Sequence, residues 1–583
     1  MQKSNLNNDN LPQFDRQFFS SREKIMCIGE GSLGGKASGL NFVQRILKEK
    51  ILPEEFPSVE VTIPRLVVLR TQIFDQFMER NDLHEKAYSN LNDLQIIYAF
   101  QQAELPVEIL GDLRSLVENV HIPLAVRSSS LLEDAKYEPL AGIYSTKMIP
   151  NNQANPDERF RKLIDAIKFV YASTFFKSSK DYFDATSHDI KTEKMAVIIQ
   201  EVEGNNYGER FYPNISGVIK SYNFYPTGNA KPEQGIVNLA LGLGKTIVDG
   251  GTSWSYSIAY PNSIPPFADV QDMLENTQTK FWAINMNPFI EYNPVAETEF
   301  MFEAEINNAE YDGTLNYIAS TYDPSSDRIK MGIGTKGIRC LNFSQLLTMN
   351  EFKFNNVVRK LLKICEEAMN GPVEIEFAAN ILQTEKKMHL AFLQVRPLAL
   401  AEEVVDLTDE EMEGEEVLIA SCNSLGNGVI NNINDIVFVK PETFDKKDTR
   451  LIASEIATFN RELIKKRKPY LLIGFGRWGS YDPWLGIPVE WPQIAGAKVI
   501  VEANVSQMNV QHSQGSHFFH NLTSQNVSYI SIDLDSKYKI DWDWINKQQT
   551  ERETEFVKHV SFENPLQIKV DGKTSRGIIR KSI

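Results

Sequence analysis

The stretches Val373-Glu374-Ile375-Glu376-Phe377 and Leu393-Gln394-Val395-Arg396-Pro397 decide how the rest of the chain is read. Side chains alternate faces along a strand, so Glu374 and Glu376 share one face while Val373, Ile375 and Phe377 share the other. By the same period Gln394 and Arg396 point together, and Leu393 and Val395 point away. The polar run Gln383-Thr384-Glu385-Lys386-Lys387 between them suits a hairpin turn. Paired, the strands set two carboxylates, an amide and a guanidinium on one patch over apolar backing. Two carboxylates that close repel unless a cation lies between them. A divalent metal carrying phosphate oxygens resolves this, with the arginine as a phosphate fork. An amphipathic hairpin with a solvated charged face fits the same residues equally well.

The 583 residues suffice for two to four domains with substantial cores. A hydrophobic content of 42% and a charged content of 24% are those of an ordinary soluble globular protein. The net charge of −16 argues against a nucleic-acid partner, so single lysines and arginines near glycines stand out as phosphate ligands. Cys27, Cys340, Cys365 and Cys422 have no metal-ligand spacing and read as reduced thiols. With no apolar signal region and no long apolar run, a cytoplasmic protein without a membrane span is expected.

Residues 1–20 read as a flexible tail and 21–400 as one nucleotide-binding unit. Helices are expected over 39–48, 71–79, 156–176 and 344–369, and strands over 196–202, 216–219 and 235–240. The run 402–416 holds nine acidic residues in fifteen, so 401–418 reads as a solvated linker. A smaller domain follows over 419–583, with a helix over 447–465 and strands over 470–473, 498–502 and 527–532.

Three further segments could meet phosphate. Gly34-Gly35-Lys36 leads into a helical pattern, offering backbone N–H groups and a point charge, or merely a tight turn. In Leu124-Ala125-Val126-Arg127-Ser128-Ser129-Ser130 an apolar strand runs into an arginine and three hydroxyls, followed by Glu133-Asp134. A serine N-cap is the competing reading. Gly242-Leu243-Gly244-Lys245-Thr246 lacks the glycine at 239 that a P-loop requires, since Leu239 stands there.

In this order the segments resemble the nucleotide-binding domain of the phosphoenolpyruvate synthase and pyruvate phosphate dikinase family. Gly34 to Lys36 is similar to its first phosphate loop, and Ala125 to Asp134 to its Ala-Val-Arg-Ser-Ser stretch with Glu-Asp. Leu140 to Ser145, with Gly142, resembles its next glycine loop, and Gln200-Glu201-Val202 its adenine-side strand. Ser216-Gly217-Val218 resembles its Ser-Gly-Val. Glu374 with Glu376, then Gln394, Arg396 and Pro397, match its Asp/Glu-x-Glu and Gln-x-Arg-Pro elements.

The resemblance implies an α/β ATP-grasp fold of two lobes, followed here by the smaller α/β domain. Lys36 and Arg127 would bind the β- and γ-phosphates, with Gly34, Gly35, Ser128, Ser129 and Gly142 around them. Arg396 and Gln394 would complete the cradle, Gln200, Glu201 and Val202 would meet the adenine, and Glu374 and Glu376 would hold Mg²⁺. Lys245 departs from the family's acidic residue in its Gly-Leu-Gly-Glu loop. After the linker there is neither the Thr-Ser-His phosphocarrier motif nor a pyruvate-binding barrel.

Residues 474–488, rich in Gly, Trp, Pro and Arg, read as a shaped loop that is either a ligand platform around Arg477 and Trp478 or a plug against a neighbouring domain. His512, His517 and His520 could be a structural cluster, a phosphate acceptor at His517, or a metal site. The expected function is a Mg-ATP-dependent phosphotransferase that passes phosphate through a histidine in a swivelling phosphohistidine-like domain. Its acceptor is unidentified, and a separate phosphoenolpyruvate- or pyruvate-binding protein is a candidate partner. The alternative is an ATP-binding regulatory or sensing module without turnover.

Overall fold

The computed structural model describes residues 11–581 apart from residues 22, 134–141, 186–187, 225, 227–228, 264–269, 291, 351, 399–404, 406, 507, 509, 511–517, 520, 523–524, 526 and 573. The first lobe is a five-stranded sheet in the order Ile25–Ile28, Leu66–Leu69, Met195–Glu201, Leu124–Ser130, Thr146–Ile149. Alternation along Leu66–Leu69 divides its side chains between two cores. Val67 and Leu69 join the helices Thr71–Arg80 and Pro156–Ser173, while Leu66 and Val68 meet the helix Gly34–Lys50. Pro156 occupies the first turn of its helix, where its missing N–H removes nothing, and the Asn155 side chain accepts from Asp157 N–H.

The second lobe is a six-stranded sheet in the order Trp254–Ser257, Ile236–Ala240, Ile215–Lys220, Val373–Leu382, Lys387–Pro397, Val59–Thr62. The hairpin forms with Glu374 opposite Arg396 and Glu376 opposite Gln394, the register that the polar face requires. A bulge follows, because Phe377 pairs with Phe392 and Leu393 is left over. Leu393 therefore does not point away as strict alternation predicts; it lies on the wall of the central cavity. Gly217 is needed where the Phe377 ring crosses its strand, since a Cβ there would come within 2.2 Å of that ring.

The helix expected over 344–369 is two, Ser344–Thr348 and Phe354–Met369, divided where Asn350 and Lys353 take positive φ of 51° and 49°. The stretch from residue 11 to 20 is packed and not a free tail. Residues 1–10 lie outside the described residues, but Phe14 and Phe18 are buried in the first-lobe core.

The C-terminal domain is built on a nine-stranded sheet whose strands Gly428–Val439, Tyr470–Phe475, Ala497–Ala503 and Ser528–Ile532 run parallel. Helix Thr449–Lys465 makes the crossover between the first two. The acidic stretch is not a free linker where it is described. Leu407 and Met412 are buried with Ala420 and Ile578. Asp409 pairs with Arg576 at 2.7 Å and Glu411 with Lys569 at 3.0 Å. Its acids therefore dock on a basic strip of the last two strands.

Candidate active site between the lobes and the C-terminal domain

A cavity of about 890 Å³ lies where the two lobes and the C-terminal domain meet. Lys36, Arg127, Gly142, Gln200, Glu201, Val202, Glu376 and Gln394 all stand on its wall, although they come from distant segments. Arg127 leaves the first-lobe sheet at Leu124–Ser130 and reaches across the gap. Its guanidinium donates to Gln200 Oε1 and the Leu393 carbonyl, both at 3.1 Å, and to Gln394 Oε1 at 2.7 Å. The bulge in the hairpin is what turns the Leu393 carbonyl to this arginine. Gln200 Nε2 is buried with no hydrogen-bond partner among the described residues.

Lys36 Nζ is 2.5 Å from Glu133 Oε1 and 3.2 Å from Ser128 Oγ. The glycines before it bring two backbones together. At Gly34, with φ +75°, a Cβ would lie 1.6 Å from the Ser129 carbonyl oxygen, and at Gly35 1.9 Å from that of Glu133. Gly34 and Gly35 thus serve this close approach and are not on the cavity wall. Ser128 and Ser129, expected beside the phosphates, are also fully buried away from the wall. Ser129 Oγ donates to the Leu33 carbonyl and accepts from Ala37 N–H, clasping the loop that carries Lys36.

The four polar heads of the hairpin separate. Glu376 and Gln394 face the cavity, whereas Glu374 and Arg396 are buried beneath it. Arg396 Nε donates to Glu374 Oε1 at 2.8 Å and Nη2 binds the same oxygen, while Lys220 Nζ lies 3.4 Å from Oε2. Lys220, Glu374 and Arg396 sit side by side on three neighbouring strands. Burial pulls the Lys220 ammonium below its ordinary pKa, against the pull of Glu374. This departs from the expected pair of metal carboxylates: Glu374 already has two cations, and Glu376 alone of the two reaches the cavity. Nothing in the 216–219 strand pattern marks Lys220 as its partner.

At the far side, Glu297 accepts from Thr146 N–H at 2.9 Å, and burial raises its pKa. Lys245, the departure from the family loop, is held by Asp249 at 2.6 Å and lies 5.2 Å from the Tyr481 ring. The 474–488 loop thus closes the cavity. Arg477 Nη1 donates to the Gly250 carbonyl at 3.1 Å, and Tyr481 N–H to that of Asp249 at 3.3 Å. The loop packs against the second lobe, as the plug reading expects, and it also lines the cavity. His512, His517 and His520 lie outside the described residues, as do Leu140 and Ala141.

Behind the Lys36 loop, burial pushes the Glu193 carboxyl up to about 7 from an ordinary 4.5. Between these values the folded protein holds a proton that the unfolded chain has released, so this contribution to stability is full below 4.5 and is lost as pH rises through 7. At about 1.4 kcal/mol per pH unit the gap corresponds to roughly 3 kcal/mol. Glu193→Gln should therefore melt at a higher temperature than the parent at pH 8 and level with it near pH 4.5. Parallel melting curves of the two proteins across that range would contradict the assignment.

The family model described as "Pyruvate phosphate dikinase, AMP/ATP-binding domain" matches residues 30–417. The chain belongs to this family. The matched span takes in both lobes except the first strand, Ile25–Ile28, and ends where the C-terminal domain begins. A protein of Bacillus subtilis (strain 168) named "Transcriptional regulatory protein LiaR" is 24% identical over 160 residues, 27% of this chain and 71% of that protein. No helix among the described residues is long and apolar enough to cross a membrane.

Proposed function

We propose that the protein is a Mg-ATP-dependent phosphotransferase whose nucleotide lies in the cavity between the lobes. The observation that carries this reading is the convergence of Lys36, Arg127, Gln200, Gln394 and Glu376 on one wall. Gln200, Glu201 and Val202 would border the adenine. Lys36 and Arg127 would bind the terminal phosphates, Arg127 positioned by Gln200 and Gln394. Mg²⁺ commonly takes only one or two protein carboxylates alongside phosphate oxygens, so Glu376, with 16% of its side chain exposed, suits it. The ion would supply charge neutralisation. Glu374 would join it only on releasing Arg396, which otherwise braces the floor from below. Catalysis in such a site is mostly positioning and electrostatics.

The dikinase form of the reaction would pass phosphate through His517. Its chain neighbour Phe518 lines the cavity, which favours that route. Incubation with Mg-ATP, chromatography of the nucleotides and an assay for acid-labile phosphate on the protein test the proposal. AMP with a labile phosphoprotein that His517→Ala abolishes is the result expected for the relay. ADP without phosphoprotein would leave a phosphotransferase lacking the histidine step. ATP binding without turnover would reject the enzyme and mark an ATP-sensing module.

A further inference from the structure

The C-terminal domain touches the floor of the nucleotide cavity from behind, at the end of strand Ile215–Lys220. Lys220 Nζ lies over the Phe519 ring, 5.5 Å from its centroid. Phe519 stacks on Phe224, with centroids 6.1 Å apart, and meets Tyr529 edge-on at 5.9 Å. Nearby, the Tyr222 hydroxyl donates to the Gly572 carbonyl at 3.3 Å. The ring is therefore clamped between two domains, and it is buried. The negative face of an aromatic ring attracts an ammonium, most strongly where water is excluded.

Lys220 acts on the floor through its charge. Glu374 lies opposite Lys220 on one neighbouring strand and opposite Arg396 on the other. Lys220 Nζ is 3.4 Å from Glu374 Oε2, and the field of Glu376, on the cavity wall, also reaches it. Two cations and two carboxylates thus leave the floor with no net formal charge. A neutral Lys220 would make it negative by one. Even at an effective dielectric constant of about 20, a unit charge several ångströms from a divalent ion changes its affinity tenfold or more. Burial and, less strongly, Arg396 favour the neutral amine, while Glu374 and Glu376 favour the ammonium. Phe519 adds to the second side from another domain.

We infer that Phe519 is a positioning residue of the nucleotide site: by capping Lys220 from the C-terminal domain it holds the floor without net charge and so sets its affinity for the metal ion. This rests on the Mg-ATP reading. The test measures, on the full chain, the factor by which saturating Mg²⁺ tightens binding of a non-hydrolysable ATP analogue, from about pH 7 to 10. In the parent this factor should rise with pH as Lys220 loses its proton, which burial brings below the ordinary 10.5. Phe519→Leu should move the rise about one pH unit lower. A ring-fluorinated phenylalanine at position 519 keeps the shape but weakens the negative face, and should move it part of that distance. Lys220→Met should abolish the rise and hold the factor on the order of tenfold above the parent at neutral pH.

A rise at the same pH in both Phe519 variants would overturn the inference, as would a rise that survives Lys220→Met. Either result places the titrating group elsewhere and leaves the nucleotide reading intact. If Phe519→Leu does not fold, the fluorinated chain decides alone. An analogue that does not bind the parent, or binds it indifferently to Mg²⁺ at every pH, would instead strike the Mg-ATP reading and this inference with it.

Discussion

Arg127→Met should lower kcat/KM for ATP on the order of 10³-fold, the effect of removing a preorganised cation from developing phosphoryl charge. Three separate acceptors fix this side chain, and they belong to both lobes: Gln200 in the first, Leu393 and Gln394 in the second. The guanidinium is therefore held in one orientation from both sides. Lysine keeps the charge but cannot donate to several directions of this fork. Arg127→Lys should thus recover no more than about a tenth of the lost rate. The split between parameters separates chemistry from lobe closure. A residue that only joins the lobes would raise KM and leave kcat alone, whereas one that meets the phosphoryl group in the transition state lowers kcat. Turnover of Arg127→Met within tenfold of the parent, with its melting temperature unchanged, would remove Arg127 from the phosphate cradle.

The hairpin was legible because a two-residue period is local, and the register Glu374 to Arg396 follows from it. The bulge at Leu393 was not, since nothing in the sequence of a strand reports an extra residue opposite it. Partners supplied from afar were hidden for the same reason. Lys220 reaches Glu374 from another strand, and the composition of residues 402–416 cannot show that Lys569 and Arg576 wait for its acids. Glycine-rich segments were recognisable as special, but their meaning depends on the neighbour. Gly34 and Gly35 meet the backbone of Ser129 and Glu133, so the pair permits strand contact and only Lys36 reaches the cavity. The density of Gly, Trp and Pro in 474–488 marked an ordered loop; that it closes the interlobe cavity needed the fold.

Glu374→Gln should cost about 3–5 kcal/mol of local stability, the typical result of removing one partner from a buried ion pair. Glu374 is 1% exposed and lies between Arg396, 2% exposed, and Lys220, 4% exposed. An amide of the same shape leaves both cations buried, with Glu376, 3.7 Å from Arg396, as a remaining counter-charge. Lys220 can shed its proton, because burial already lowers its pKa below the ordinary 10.5. Losing Glu374 lowers it further. Between that depressed value and 10.5 the unfolded chain binds more protons than the folded one, so the variant's stability rises with pH there. The defect should be full at low and neutral pH and shrink as the solution becomes alkaline. Lys220→Met added to Glu374→Gln should relieve part of it at neutral pH. Hydrogen exchange along strand Val373–Leu382 reads this directly, because unfolding of a chain with several domains is not one transition. If Glu374→Gln keeps the parent's protection but no longer binds nucleotide in a Mg²⁺-dependent way, the carboxylate belongs to the metal and not to the two cations. Loss of protection with Mg²⁺-dependent binding intact would leave Glu376 as the metal carboxylate and make the buried triad the brace beneath it.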